Sequence, residues 1–160
     1  MLKYLFILLL ILSSVSGALN RNFVDAYVYK WLEKDSTVSK HYLKANIDDP
    51  YCCYLLGTIY LVEKNMQLAD YYITKAANAN SPEAINSIGD GYYSGDIRMK
   101  NHKKALECYV KSAHMGYGPA QFNAGAVYSR YAKSKKDLRK AIYWFNKASK
   151  NKDIKELKRS

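Results

Sequence analysis

The stretch INSIGDGY (85–92), followed closely by KALECYVKSA (104–113), decides the fold because the chain repeats it. QFNAGAVY (121–128) and KAIYWFNKAS (140–149) give the same pair 36 residues later. An earlier copy reads CYLLGTIY and LADYYITKAA between residues 53 and 77. Self-similarity at a fixed period of this length is typical of helical-repeat proteins.

Small residues mark the register of the three copies. A glycine inside a helix costs about 1 kcal/mol relative to alanine, so a glycine at one register predicts close approach of the paired helix. We expect an alanine of the second helix to face it, and a tyrosine three positions after the glycine to fill the space beyond. The equivalent residues are Gly57, Gly89 and Gly125, Ala69, Ala105 and Ala141, and Tyr60, Tyr92 and Tyr128.

Each copy predicts a helical hairpin. Ala141, Phe145 and Ala148 recur at i, i+4 and i+7, which is one face of an α-helix. The predicted fold is therefore all-α, a right-handed α-solenoid of stacked hairpins. Prolines tolerated at helix starts and residues that accept a left-handed C-terminal cap separate the copies: Pro82 and Pro119, Asn80 and Gly116.

The organisation follows from the period. We predict an N-terminal signal peptide, a degenerate hairpin that caps the solenoid, three repeats and a basic tail. The corresponding ranges are 1–18, 19–49, 50–81, 82–117, 118–151 and 152–160.

The first residues have the order of a secretory signal. Lys3 precedes the apolar run 4–12, and small residues follow it, with cleavage expected after Gly17 or Ala18. The apolar run is shorter than the roughly 20 residues that span a bilayer. We therefore expect export, to the periplasm or medium, or to the endoplasmic-reticulum lumen or outside the cell if the source is eukaryotic.

The net charge of +11 is concentrated at the end of the chain. Residues 131–160 contain eleven Lys or Arg but only Asp137, Asp153 and Glu156 as acids. Such an end attracts anions, and for an exported chain we expect anionic lipid, acidic glycan or acidic protein rather than nucleic acid. An equally simple interpretation is a solvated tail that maintains solubility.

The three cysteines do not form a disulfide framework. One bridge from Cys108 to Cys52 or Cys53 is conceivable after export, but core packing explains them more simply. The register places Cys108 at the position of Trp144 and Cys52 at that of Ala84, so we expect both thiols to be buried.

Residue patterns for catalysis are weak. His41, His102 and His114 are dispersed, without zinc-ligand spacing, and no nucleophile has a base at plausible spacing. We predict neither metal nor cofactor, and no enzymatic activity.

The repeat resembles the Sel-one-like repeat (SLR) family, which is related to the tetratricopeptide repeat. The resemblance covers roughly residues 50–150, although Cys108 and Tyr72 replace the family tryptophan. The motif is carried in the second copy by Ala84, Ile88-Gly89, Tyr92, Gly95, Lys104-Ala105, Tyr109 and Lys111-Ser112-Ala113. The resemblance implies an adaptor or scaffold that binds protein; the alternative is a hydrolase acting on cell-wall or beta-lactam-like substrates.

In tetratricopeptide-like solenoids the first helix of each hairpin lines the concave surface. The resemblance therefore implies a partner-binding stripe beside the glycine positions. Large aromatic side chains there suit anchoring, and polar side chains suit hydrogen bonding. The predicted stripe consists of Tyr54, Thr58, Asn86, Asp90, Tyr93, Phe122 and Ser129.

Overall fold

The computed structural model describes residues 36–151, apart from the side chains of Ser36 and Val38. The predicted signal peptide (1–18), the first part of the predicted cap (19–35) and the basic tail (152–160) lie outside the described residues.

The described chain contains seven α-helices and no β-strand. α1 is described by itself, and the six helices that follow form one compact unit. The helices are α1 (Ser36–Ala45), α2 (Pro50–Val62), α3 (Met66–Asn78), α4 (Pro82–Ser94), α5 (His102–His114), α6 (Gly118–Arg130) and α7 (Lys135–Lys150).

Three hairpins form the compact unit. α2 pairs with α3, α4 with α5, and α6 with α7, and successive hairpins touch through α3 with α4 and α5 with α6. Each hairpin thus buries a face against the next, as expected for stacked repeats. The predicted all-α helical-repeat fold is confirmed.

Side-chain caps explain where the helices begin. The Asp49 carboxylate accepts from Tyr51 N at 2.7 Å before α2, and the Ser81 hydroxyl accepts from Ala84 N at 3.2 Å before α4. These bonds satisfy backbone donors that a helix start leaves free. Asn80 and Gly116 have φ of 62° and 95°, which confirms their predicted left-handed conformation between repeats.

The helical glycines do permit close approach, but the facing residue differs from the prediction. A Cβ on Gly89 would lie 2.6 Å from Tyr109 Cε1, and 3.3 Å from the carbonyl oxygen of Ala105. Ala105 thus faces Gly89 only with its backbone. The side chain of Tyr109, one turn further along α5, fills the space beside the glycine because it projects toward α4. Ile73 lies in the same way against Gly57, and Phe145 against Gly125.

In the second and third hairpins, the lysine that precedes the register alanine contacts a tyrosine ring. The Lys104 ammonium lies 5.4 Å from the Tyr92 ring centroid, and Lys140 lies 4.9 Å from that of Tyr128. Both are cation–π geometries within one hairpin. The first hairpin has Leu68 at the lysine position.

The cysteine prediction holds for one of its two residues. Cys52 is buried, but Cys108 is only half-buried, so the prediction of a buried Cys108 is wrong. The equivalent Trp144 is large enough to reach the apolar cluster between hairpins, whereas the short Cys108 side chain packs at the edge of another cluster. All three thiols are free.

The second hairpin has a longer loop than the first. That loop carries Arg98, whose guanidinium forms an ion pair with Asp70 and donates to Thr74 Oγ1 at 2.9 Å, both on α3. The extra residues therefore fasten the second repeat onto the first.

Candidate protein-binding surface

A polar network joins the first helices of the second and third hairpins. On α4, Asn86 Nδ2 donates to Asp90 Oδ2 at 3.1 Å. From α6, Asn123 Nδ2 donates to Asn86 Oδ1 at 3.1 Å and to Asp90 Oδ1 at 3.5 Å. The Tyr109 hydroxyl of α5 donates to Asp90 Oδ1 at 2.8 Å. We call Asn86, Asp90, Tyr109 and Asn123 the polar network.

Asp90 is the charged centre of this network. Its side chain remains exposed at the surface, yet desolvation by neighbouring atoms raises the pKa of its carboxyl group, and the Tyr109 hydrogen bond opposes that shift. Desolvation, followed by the adjacent Asp90 charge, raises the pKa of Tyr109. Tyr109 therefore remains a hydrogen-bond donor at neutral pH, which fixes the carboxylate orientation.

An aromatic and basic group lies where α4 and α6 end and α5 begins. Arg130 Nη1 donates to the Tyr93 hydroxyl at 2.8 Å. The His102 ring has centroid distances of 5.1 Å to Tyr93 and 4.7 Å to Tyr131. This group again bridges the second and third hairpins, so the two repeats present one connected surface.

The remaining predicted stripe residues do not all join this surface. Tyr54 packs half-buried against the cluster between the first two hairpins. The Thr58 hydroxyl donates to its own helix, at Leu55 O. Phe122 is exposed and lies 5.6 Å from Phe145, ring to ring, while Ser129 is exposed. The structure therefore connects Asn86 with Asp90 directly, and leaves Tyr54 and Phe122 in other surroundings.

The predicted stripe omitted five residues of this surface, namely His102, Tyr109, Asn123, Arg130 and Tyr131. Asn123 and Arg130 lie one position after Phe122 and Ser129, on the neighbouring stripe of α6. The repeat gave a usable signal for the first, since Asn123 stands 36 residues after Ser87. Ser87 and Asn123 are both polar, and each lies two positions before the glycine of its helix, so the register marked a polar position beside the predicted stripe.

Asn86 has a different role from the one expected. It was expected to hydrogen-bond a partner, but it is buried. Its amide donates to Asp90 and accepts from Asn123 within the protein. Asn86 therefore contributes to the surface by orienting these two side chains.

Metal and membrane features were searched within residues 36–151. That part of the chain has no group of three His, Cys, Asp or Glu side chains placed to hold a metal ion. None of its helices combines the length and apolar character needed to cross a membrane.

The stacked hairpins and the surface across their first helices define a helical-repeat protein of the scaffold type. The sequence profile of the Sel1 repeat matches residues 51–81, 82–117 and 118–153. The chain belongs to the Sel1 repeat family, whose members generally mediate protein–protein interaction and are typically not enzymes.

Solved structures share the fold. A Sel1 repeat protein from Oxalobacter formigenes is 26% identical with a TM-score of 0.61, over 71% of this chain and 92% of that one. The protein c5321, a protective antigen of uropathogenic Escherichia coli with an SLR fold, is 22% identical with a TM-score of 0.62, over 82% of this chain. This chain spans only 33% of c5321. MamA is 20% identical with a TM-score of 0.53, over 86% of this chain and 81% of its own.

Proposed function

We propose that this chain is an exported adaptor that binds an extended segment of a partner protein along the first helices of its second and third hairpins. The observation that carries the proposal is the polar network, which crosses two repeats and holds the exposed Asp90 carboxylate between two amide groups and a hydroxyl. A surface fixed in this way loses little conformational entropy on binding.

The chemistry of the surface suits a polypeptide. Asp90 can accept hydrogen bonds from backbone N–H groups or from a basic side chain of the partner. Tyr93, held by Arg130 and His102, offers a rigid aromatic contact beside it. An extended segment supplies both kinds of group at short intervals, so one segment can contact both repeats.

Export is part of this proposal and rests on the leader-like order of Lys3, the apolar run 4–12 and the small residues that follow. N-terminal sequencing of protein made in its native host should find a start at Ala18 or Leu19. A mature protein that begins at Met1 would remove export from the proposal.

The test uses full-length protein as bait in its native host. Tyr93→Ala combined with Asn123→Ala should reduce capture of the specific partner at least about tenfold. The matched control combines Tyr71→Ala with Asn146→Ala, the same two residue types on exposed positions of second helices, and should capture normally. Quantitative mass spectrometry of the eluates measures the difference.

The basic tail is the competing explanation. Replacing Lys152, Lys155, Lys158 and Arg159 by Gln removes its charge without shortening the chain. Capture that depends on these residues and on low salt, and that ignores Tyr93→Ala with Asn123→Ala, would overturn the proposal in favour of anion binding.

A further inference from the structure

The third hairpin exposes an apolar face, whereas the equivalent face of the second hairpin is covered by the third. Leu106 of α5 is half-buried against the cluster that includes α6, whereas its equivalent on α7, Ile142, is 59% exposed. Tyr109 is buried, whereas its equivalent Phe145 is only half-buried. In the described chain, no helix packs on α7 as α6 packs on α5.

Four side chains of α6 and α7 make up the exposed apolar face of the third hairpin. Asn86 lies beneath Asn123 of the next repeat and is 7% exposed, while its equivalent Phe122 is 53% exposed. Phe122 and Phe145 lie side by side, with ring centroids 5.6 Å apart. Leu138 and Ile142, one turn apart on α7, extend the apolar surface. We use the name C-terminal face for Phe122, Leu138, Ile142 and Phe145.

The border of this face is basic. α7 carries six Lys or Arg residues and one acid, Asp137. On a helical projection, Lys135 and Arg139 follow directly after Ile142 on the side away from the core, and both are exposed. Asp137 lies on the opposite side and is engaged by Ser134, whose hydroxyl donates to it at 2.8 Å.

We propose that the C-terminal face docks an acidic amphipathic helix of a partner protein, in the place where the first helix of a further repeat would pack. The apolar side of that helix covers Phe122, Ile142 and Phe145, and its acidic edge pairs with Lys135 and Arg139. This is the helix-in-groove mode of recognition, with the geometry of the α5–α6 contact. It is a second binding surface, separate from the polar network.

Two other occupants of the C-terminal face, a second copy of this chain and the chain's own residues 152–160, are disfavoured by charge and by sequence register. A second copy of the chain docking through the same face would bring the two basic borders together. The chain's own residues 152–160 also carry a net positive charge, with four Lys or Arg against Asp153 and Glu156. At the positions of the small packing residues Ala120 and Ala124, that segment has Glu156 and Ser160.

The experiment measures peptide binding to the full-length protein by fluorescence anisotropy. The probe is a synthetic helix with Leu at i, i+3, i+4 and i+7 and Glu elsewhere. A peptide with Lys in place of Glu reports charge, and a scrambled Leu and Glu peptide reports helical spacing. The Glu helix should bind, the other two should bind at least about tenfold more weakly, and salt should weaken the first.

The protein variants locate the site. Ile142→Glu should weaken binding of the Glu helix at least about tenfold, because it places a charge in the contact and opposes the peptide charge. Tyr71→Glu, also on an exposed position but on α3, should bind normally. Circular dichroism melts of both variants confirm that each is folded.

Four results would overturn the proposal. Equal binding of the Glu and Lys helices would contradict recognition by charge complementarity. An unchanged affinity of the Ile142→Glu variant for the Glu helix would show that the peptide does not bind at the C-terminal face. Self-association in sedimentation that Ile142→Glu abolishes would assign the face to a second copy. If Ile154→Ser with Leu157→Ser increased peptide binding, the chain's own last residues would be the occupant.

Discussion

The Tyr109 hydroxyl lies 2.8 Å from Asp90 Oδ1 and donates to it, which ties the second helix of the middle hairpin to the proposed binding surface. Tyr109 also fills the space beside Gly89 on the same hairpin. One side chain therefore serves both packing and orientation: its ring sets the distance between α4 and α5, and its hydroxyl fixes the carboxylate.

Asp90 should titrate above the ordinary aspartate pKa of about 3.9. Desolvation raises its pKa in the folded protein, so the native state binds a proton more readily than the unfolded chain does. The stabilisation from that proton is present below the ordinary pKa and is lost as pH rises through the native pKa. Tyr109→Phe should raise the Asp90 pKa further, because the hydrogen bond that favours the charged form is removed.

Carbon-13 NMR of the Asp90 carboxyl group measures both values. At neutral pH, Tyr109→Phe should also lower the free energy of unfolding by about 1 kcal/mol. A wild-type midpoint at or below 3.9, or an unchanged midpoint in Tyr109→Phe, would contradict the described contact.

Two glycines of α4 should respond oppositely to alanine. At Gly89 the added methyl group would lie 2.6 Å from the Tyr109 ring, so Gly89→Ala should lower the free energy of unfolding by about 1–3 kcal/mol. At Gly91 the nearest atom is Arg98 Cδ at 3.7 Å, so Gly91→Ala should be neutral or stabilise by up to about 1 kcal/mol. Urea denaturation compares the pair, and equal effects would refute close approach as the reason for the glycine register.

The fold was predictable because its determinants are local and repeated. Helix periodicity, Pro82 at a helix start and Asn80 at a left-handed turn each act within a few residues, and the period multiplies the signal. The side chain that fills the space beside Gly89 could not be predicted in the same way. The repeat register aligns Ala105 and Tyr109 equally well with the facing helix. Only the relative rotation of the two helices decides between them.

The candidate surface was predicted in part for the same reason. Asn86, Asp90 and Tyr93 follow from their positions relative to Gly89 on one helix. Their partners on the next repeat depend on how far α6 is displaced along α4, and no single-helix pattern contains that distance. Asn123 and Arg130 were therefore missed.

The thiols should differ in their reaction with a maleimide reagent. Burial, followed by the charges of Asp49 and Cys53, raises the pKa of Cys52 to about 12, so little reactive thiolate exists at neutral pH. Cys53 is also buried, and its thiol lies 3.5 Å from the carbonyl oxygen of Tyr72. Cys108 is half-buried, so it should react first in the folded protein, although desolvation raises its pKa as well.

Labelling followed by peptide mass spectrometry resolves the three sites. Cys52 and Cys53 should become reactive only when denaturant is added, whereas Cys108 should be modified slowly without it. Cys52 labelling as fast as that of Cys108 in native protein would contradict the described packing.

Arg98 should couple the second repeat to the first. Its guanidinium contacts both Asp70 and Thr74 across the repeat boundary, and its planar fork lets it bond both at once. Because both members of the ion pair are partly exposed, Arg98→Ala should lower the free energy of unfolding by only about 1 kcal/mol or less.

A double-mutant cycle with Asp70→Ala isolates this contact. The two substitutions should cost less together than the sum of their separate effects, and the difference should shrink in high salt as the ion pair is screened. Arg98→Lys provides the matched control: it keeps the charge but presents a single ammonium, so it should retain part of the coupling to Asp70 and lose the hydrogen bond to Thr74. Strictly additive effects at low salt would mean that the longer loop of the second hairpin contributes nothing to the contact between repeats through Arg98 and Asp70.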